Sequence, residues 1–192
     1  MIQCNKCYID ERFGMAAREW LILSFTLPKD PSRVRVSVWR KLKKAGSVNI
    51  DQSMWMLPFS QDHRDVFEDI SEVVRGNKGK AHLMQGFFID TDNRGDIQDA
   101  FDKERKEEYK DFSDTCEDYQ DTVKKKIKKE KLKFSKLEEY ERELKKLSEW
   151  FDAIKGRDFF DSKYQKDALK ELETCRELFD RYCNELKNTC SQ

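Results

Sequence analysis

Proline and glycine are scarce in this chain, with 3 prolines and 7 glycines among its 192 residues. Both residue types interrupt regular structure, so their scarcity excludes a loop-rich or collagen-like chain and favours long helices and strands. Apolar runs are also short, since none approaches the roughly 20 residues that a membrane-spanning helix needs. The first residues show no apolar core followed by a small-residue cleavage site. We therefore expect a cytoplasmic protein without a membrane span.

Motifs of catalysis and metal binding are missing as well. The sequence has no Gly-rich phosphate loop, and neither His63 nor His82 belongs to a recognisable nucleophile motif. Cys4 and Cys7 form a lone CxxC pair without the further ligands that a zinc site uses. We expect reduced thiols rather than disulfides, no metal, no cofactor, no catalytic residues and no enzymatic activity.

Charge is abundant, because 40% of the residues are charged, yet the formal net charge is zero. A neutral total gives no whole-molecule attraction to nucleic acid. Residues 32–44, however, contain six basic residues and no acidic one: Arg33, Arg35, Arg40, Lys41, Lys43 and Lys44. This cluster predicts a surface that binds nucleic acid or an oxyanion, because guanidinium and ammonium groups neutralise phosphate. The alternative is an ordinary solvated helix face.

Hydrophobic periodicity divides the chain into an N-terminal arm (1–17), an α+β domain (18–93) and a helical region (94–192). The α+β domain is predicted to run strand 20–27, helix 32–45, strand 47–57, helix 61–75 and strand 80–90. The long middle strand has an alternative interpretation as two strands joined by a hairpin at Asp51 and Gln52. This order predicts a ferredoxin-like (split βαβ) domain with its helices on one sheet face. Trp39 lies between two faces of the first helix, and we expect it to pack.

The helical region has amphipathic spacing with breaks near 132–135 and 156–161. Leu137, Tyr140, Leu144, Leu147, Phe151 and Ile154 form a heptad seam, and the last helix places Leu169, Leu172 and Cys175 on a similar stripe. Short breaks make consecutive helices fold back on each other. We therefore predict an antiparallel three-helix bundle after the ferredoxin-like domain.

Several segments resemble the N-terminal domain of the chromate resistance protein ChrB. They include residues 20–28 and 31–42, the Leu57-Pro58 pair before an acidic helix, and the motifs at 133–139, 147–151 and 154–160. A weaker likeness of the first ninety residues, at the level of fold alone, is to the middle domain of the phenylacetate-catabolon repressor and to small CRISPR-associated ribonucleases.

The ChrB resemblance implies a cytosolic bacterial-type regulator that controls a chromate efflux transporter, with DNA binding in this domain. It supplies no catalytic residues, and relatives usually continue into a second domain. It also suggests that Ser32, Arg33 and Arg35, at the start of a helix, hold chromate or a sulfate-like oxyanion. The alternative function is a non-catalytic dimerisation or protein-interaction module that uses a sheet edge and the heptad seam.

Overall fold

The computed structural model describes residues 19–30, 32–88, 92–128 and 132–190. The chain forms two compact units, residues 1–101 and 102–192. The predicted N-terminal arm, with Cys4 and Cys7, lies outside the described residues.

The first unit combines a sheet with two helices that precede the long helix α3. Its elements are β1 (Trp20–Thr26), α1 (Ser32–Lys44), β2 (Val48–Asp51), β3 (Met54–Pro58), α2 (Gln61–Gly76) and β4 (Lys80–Gly86). The hairpin interpretation of residues 47–57 is confirmed, since β2 and β3 are separate strands. The last strand ends at Gly86, four residues earlier than predicted.

The four strands form an antiparallel sheet in the order β2-β3-β1-β4. Helix α1 connects β1 to β2, and helix α2 connects β3 to β4. The two strands of each pair are not neighbours in the sheet, because one other strand lies between them. In the register of β1, Leu23 lies opposite Trp55 of β3 and Leu83 of β4. A bulge near Asn49 and Asp51 interrupts the pairing of the short edge strand β2.

The helices of this unit bury narrow apolar stripes. Val38 and Leu42 of α1 are fully buried, as are Phe67, Ile70 and Val74 of α2. Side chains of α2 line one groove with Leu21 and Leu83, so α2 lies over the sheet face that carries these leucines. Strand alternation puts Trp20 on the other face.

Trp20 marks that second face of the sheet, where its ring stacks on Phe101 with 5.9 Å between the ring centroids. Phe101 and Ile97 are buried and belong to the start of α3, within the first unit. Both faces of the sheet therefore contribute to the core of this unit.

Two glycines are required by the backbone that joins these elements. Gly46 ends α1 with φ of 78°, a conformation that side chains with a Cβ rarely adopt. A Cβ on Gly79 would lie 2.5 Å from the Thr26 carbonyl oxygen and 2.7 Å from Val74 Cγ1. The α2–β4 turn can pass this close to β1 only with glycine at position 79.

The second unit is built from α3 (Asp92–Lys128), α4 (Phe134–Lys155) and α5 (Tyr164–Cys190), with the first turns of α3 assigned to the other unit. One core takes apolar side chains from all three helices. The Tyr119 hydroxyl donates to the Tyr140 carbonyl oxygen, and the Tyr182 hydroxyl donates to that of Lys133. These bonds join late residues of α3 and α5 to the beginning of α4. Helix α4 is therefore antiparallel to both α3 and α5.

Most of the predicted seams are buried, with one shift in α5. Tyr140, Leu147, Phe151 and Ile154 form the buried part of the α4 seam. In α5, Leu169 is 38% exposed, whereas its neighbour Ala168 is fully buried. The placement of Leu169 in the core was therefore wrong, because α5 directs the smaller Ala168, one position earlier, into the core.

Candidate functional site

Three basic side chains form a row along the outer face of α1. Arg33, Arg40 and Lys44 are all exposed, and their spacing of seven and four residues puts them on one side of the helix. The buried Val38 and Leu42 lie on the opposite side, which explains the outward orientation of the row. We call Arg33, Arg40 and Lys44 the basic stripe.

The basic stripe borders a surface depression of about 580 Å³. Its lining also includes the hydroxyl-bearing Ser32 and Ser37 and the 45% exposed Val36. This surface therefore offers cationic groups with small polar and apolar side chains between them. Such a combination can bind a polyanion and still contact less polar parts of it.

The other three predicted basic residues have different surroundings. Arg35 Nη2 donates to the carbonyl oxygens of Pro28 and Lys29, each at 3.0 Å, so its guanidinium group helps to hold the turn before α1. Lys41 is exposed at one flank of the stripe, and Lys43 is half-buried. With Arg35 engaged by the turn, the oxyanion site at Ser32, Arg33 and Arg35 stays a prediction.

Trp39 is 50% exposed, so our expectation that it packs was wrong. Trp39 lies one helical turn from Arg35 and from Lys43, about a third of the way round α1 from the basic stripe. The core beneath α1 is filled by Val38 and Leu42, which leaves no buried position for the larger ring. An exposed indole beside cationic groups is available for contact with a ligand.

Helix α2 packs beside α1 and carries the opposite charge. Its outer face exposes five carboxylates: Asp62, Asp65, Glu68, Asp69 and Glu72. Ser60 begins this helix by accepting a hydrogen bond from the His63 N–H, and Arg64 pairs with Glu68 at 2.8 Å. The negative face of α2 repels polyanions, so only the α1 side of these two helices attracts them.

A buried polar cluster in the second unit was not predicted from the sequence. It consists of Arg105, Glu108 and Tyr109 of α3 with Arg157 and Asp158, which lie between α4 and α5; we call it the Asp158 cluster. Arg157 Nε and Nη2 reach Glu108 Oε1 at 3.2 and 3.1 Å. Arg105 Nη1 donates to the Arg157 carbonyl oxygen at 2.9 Å.

Asp158 is the acceptor that joins α3 to the start of α5. Its carboxylate accepts a hydrogen bond from the Tyr109 hydroxyl at 3.0 Å and from the Ser162 N–H at 3.1 Å. Ser162 Oγ in turn accepts a hydrogen bond from the N–H of Tyr164, the first residue of α5. The carboxylate thus stabilises the turn between the helices and its contact with α3.

Burial shifts the pKa values of two members of this cluster. Desolvation lowers the pKa of Arg105, which is only 2% exposed, although Glu108 acts in the opposite direction. Burial also raises the pKa of Tyr109, which keeps the hydroxyl protonated and able to donate to Asp158. Arg105 Nε has no hydrogen-bond partner among the described residues.

The sequence did contain a signal for this cluster. The apolar stripe of α3 has Phe101 and Phe112 at core positions, and Arg105 and Tyr109 occupy the two intervening positions, at successive steps of four, four and three residues. A charged residue on an apolar stripe indicates a buried partner. The partners Arg157 and Asp158 lie about 50 residues further along the sequence, so spacing alone does not identify them.

A groove of about 570 Å³ lies between α3 and α4. Tyr119, Tyr140, Leu147 and Trp150 provide its apolar lining. Lysines and carboxylates of both signs surround it, including Lys136 paired with Glu139. The groove is an apolar depression with a charged rim on the surface of the helical unit.

Among the described residues, no three His, Cys, Asp or Glu side chains are placed to hold a metal ion. None of the described helices combines the length and hydropathy that a membrane crossing demands.

Comparison with known proteins identifies a family. No curated protein and no solved structure matches the chain. A family model described as Protein ChrB, N-terminal, matches residues 35–192, from within α1 to the end of the chain. The match omits β1 and Arg33 but includes the rest of the basic cluster and the whole helical unit. Since it spans well over half of the sequence, the chain belongs to the ChrB N-terminal family, which relates it to chromate resistance.

Proposed function

We propose that this chain is a DNA-binding regulator related to chromate resistance, and that α1 is the helix that contacts DNA. The observation that carries the proposal is the exposed basic stripe on a helix without a single acidic residue. Membership of the ChrB family supports the relation to chromate resistance, and the basic surface of α1 supports DNA binding. The proposal assigns no catalytic step to the chain.

The position of Arg33 favours a ligand over simple helix solvation. The lysines in the last turn, Lys41, Lys43 and Lys44, also stabilise the helix, because cations there complement the helix dipole. Arg33 lies in the first turn, where a positive charge is unfavourable to the dipole. An exposed arginine that weakens its own helix is well explained by a phosphate group that binds there.

The dimensions of the stripe suit a nucleic-acid groove. Arg33 and Lys44 are 11 positions apart, which corresponds to about 17 Å along a helix. The major groove of DNA admits an α-helix, with basic side chains on phosphates and small side chains towards the base edges. In this arrangement Val36 and Ser37 lie between the phosphate contacts of Arg33 and Arg40.

We also propose that the first unit is a ferredoxin-like, split βαβ domain. The sheet order β2-β3-β1-β4 and the interleaving of the two βαβ connections support this assignment. Helix α1 then lies on the outside of a rigid sheet, where its exposed face can approach DNA without rearrangement of the core.

The test is binding of the purified chain to DNA from its own upstream region at two salt concentrations. Substitution of Arg33, Arg40 and Lys44 together by alanine should weaken binding at least tenfold at low salt. The slope of log K against log salt concentration should fall by about 2 to 3, because roughly 0.9 of a counterion is released per phosphate contact.

A matched control removes the same charge from the helical unit. Lys110, Lys128 and Lys155 are exposed, and their joint replacement by alanine changes the net charge equally. The control variant should keep most of the affinity and the salt slope. Equal binding by the two triple variants would remove α1 from the proposed interface.

The groove between α3 and α4 favours a second candidate function, a protein-interaction or dimerisation module. Its lining includes Trp150 and three other large side chains, and nearby Phe134 of α4 is 60% exposed. Light scattering on the chain and on Trp150→Ala tests this alternative. A monomer at all concentrations in both proteins would contradict self-association through the groove.

A further inference from the structure

Two buried thiols meet across α3 and α5 in the helical unit. Cys116 and Cys175 are 59 positions apart in sequence, and both are fully buried. The Cys175 thiol lies 3.6 Å from the Cys116 carbonyl oxygen, to which it donates a hydrogen bond. Each thiol is also close enough to the other to shift its pKa. The helices therefore hold the two sulfur atoms together without a covalent bond.

The two thiols differ in acidity. The interaction with the neighbouring Cys116 thiol lowers the pKa of Cys175. The same contact, together with burial, raises the pKa of Cys116. Since the thiolate is the nucleophile in thiol chemistry, Cys175 is the first of the two to react with an electrophile.

Gln120 is a polar neighbour of Cys175 that also borders a depression of the protein surface. This amide is close enough to Cys175 to lower the pKa of its thiol, and its Nε2 donates to Glu171 Oε2 at 2.7 Å. Lys124 Nζ donates to Gln120 Oε1 at 3.1 Å. Gln120, Lys124 and Glu171 line a surface depression of about 420 Å³. The Gln120 amide thus adjoins both the thiol and the depression, so a small solute that reaches Cys175 from this depression passes the amide.

We propose that Cys116 and Cys175 form a reversible disulfide when the protein meets hydrogen peroxide or a small alkyl hydroperoxide. The Cys175 thiolate attacks one peroxide oxygen and breaks the O–O bond. This step yields a sulfenic acid on Cys175 and, after proton uptake, water or an alcohol.

The Cys116 sulfur then attacks the sulfenic sulfur, and the S–O bond breaks. The leaving hydroxide takes the proton of the Cys116 thiol and departs as water, so two thiols lose two electrons in total and one peroxide gains them. The disulfide ties α3 to α5 and closes a long loop in the unfolded chain, which should raise the midpoint of unfolding of the oxidised protein. The site is independent of the proposed DNA contacts.

The experiment uses the intact chain under native conditions. The protein is treated with hydrogen peroxide, its free thiols are alkylated, and its peptides are mapped by mass spectrometry with and without dithiothreitol. We expect a peptide pair linked through Cys116 and Cys175, two hydrogens lighter than the separate peptides and lost on reduction. Cys175→Ser should abolish the linked pair, whereas Cys183→Ser, on the same helix, should leave it unchanged.

The mapping also gives the outcomes that overturn the proposal. One is a peroxide dose that oxidises the half-buried Cys183 but produces no Cys116–Cys175 peptide. Pairing of Cys175 with a different cysteine, or oxidation of Cys175 that stops at a sulfinic acid, would also contradict the proposal. Wild-type mapping decides these points even if Cys175→Ser does not fold.

A second variant tests the route past the amide. Gln120→Ala removes the side chain that covers Cys175, so the linked peptide should form several times faster than in the wild type. An unchanged rate would exclude this route.

Discussion

Arginine has opposite surroundings in the two units of the molecule. On α1, Arg33 and Arg40 extend into solvent in a basic stripe. In the helical unit, Arg105 is 2% exposed and bonds to a carbonyl oxygen and to Glu108. The exposed arginines Arg33 and Arg40 keep their hydration, whereas Arg105 has exchanged water for protein partners.

This difference in exposure determines whether an arginine contributes to ligand binding or to the stability of the fold. An exposed guanidinium group contributes little to folding, because water solvates it equally well in the unfolded chain. A buried polar group depends on its partners, since removal of one partner leaves the other desolvated and unpaired. Substitutions in the Asp158 cluster should therefore change the free energy of unfolding, whereas those in the basic stripe should change ligand affinity.

The largest effect is expected at Asp158. Asp158→Ala leaves the Tyr109 hydroxyl and the Ser162 N–H without their acceptor, and we expect a loss of about 3 kcal/mol in the free energy of unfolding. Urea denaturation followed by circular dichroism measures it. The control is Asp161→Asn, an exposed position with φ of 51° that asparagine tolerates. Similar losses in both variants would show that Asp158 has no special role.

A smaller loss is expected at Arg105. Arg105→Met keeps much of the side-chain volume and removes a desolvated charge whose Nε has no partner among the described residues. Glu108 also retains Arg157, so we expect a loss of only about 1 to 2 kcal/mol. Lys110→Met, on an exposed position of the same helix, should change stability by less. A loss at Arg105 larger than that at Asp158 would reverse the assigned order within the cluster.

The pH dependence of unfolding tests Tyr109. Its pKa is raised in the folded protein, so between neutral pH and pH of about 10 the hydroxyl is protonated in both states. Above that pH the unfolded chain releases the proton first, and stability falls by up to about 1.4 kcal/mol per pH unit for this group. Tyr109→Phe should be about 1 kcal/mol less stable at pH 8 and should lose stability less steeply above pH 10.

Urea unfolding of wild type and variant at pH 8 and at two values above 10 gives this comparison. Burial also raises the pKa of Tyr119, so Tyr119→Phe is a parallel case with the same sign. Parallel pH profiles of the wild type and Tyr109→Phe would contradict the assignment of the alkaline loss to Tyr109.

The smallest effect on stability is expected in the basic stripe. Single substitution of Arg33, Arg40 or Lys44 by alanine should change the free energy of unfolding by no more than about 0.5 kcal/mol. The same urea experiment measures it, and the DNA-binding assay provides the second readout. A loss above about 1 kcal/mol would indicate that the stripe has a structural role, as the Asp158 cluster has.

Local periodicity was sufficient to predict most of the elements. The alternation of Leu21 and Leu23, the spacing of Val38 and Leu42, and the breaks at Gly46 and Pro58 depend on residues within a few positions of each other. Helix and strand bounds therefore agree with the structure to within a few residues. The exposed position of the basic cluster followed from the same pattern, because an apolar stripe fixes which side of a helix faces water.

Other features depend on packing that local pattern does not contain. Trp39 and Leu169 were both predicted to pack, yet Val38 and Leu42 occupy the core beneath α1 and Ala168 takes the buried position in α5. Arg35 belonged to the predicted basic surface, but it holds the turn before its own helix. In each case the available space decided between two faces that the sequence left nearly equivalent.

The amino-acid sequence by itself determined the succession of strands and helices, the cationic character of α1 and the family of the chain. Only the tertiary structure decided which distant residues meet. Tyr109 and Asp158 are 49 positions apart, and Cys116 and Cys175 are 59 apart. Such contacts form because three helices share one core, and their register depends on the fit of all the buried side chains together.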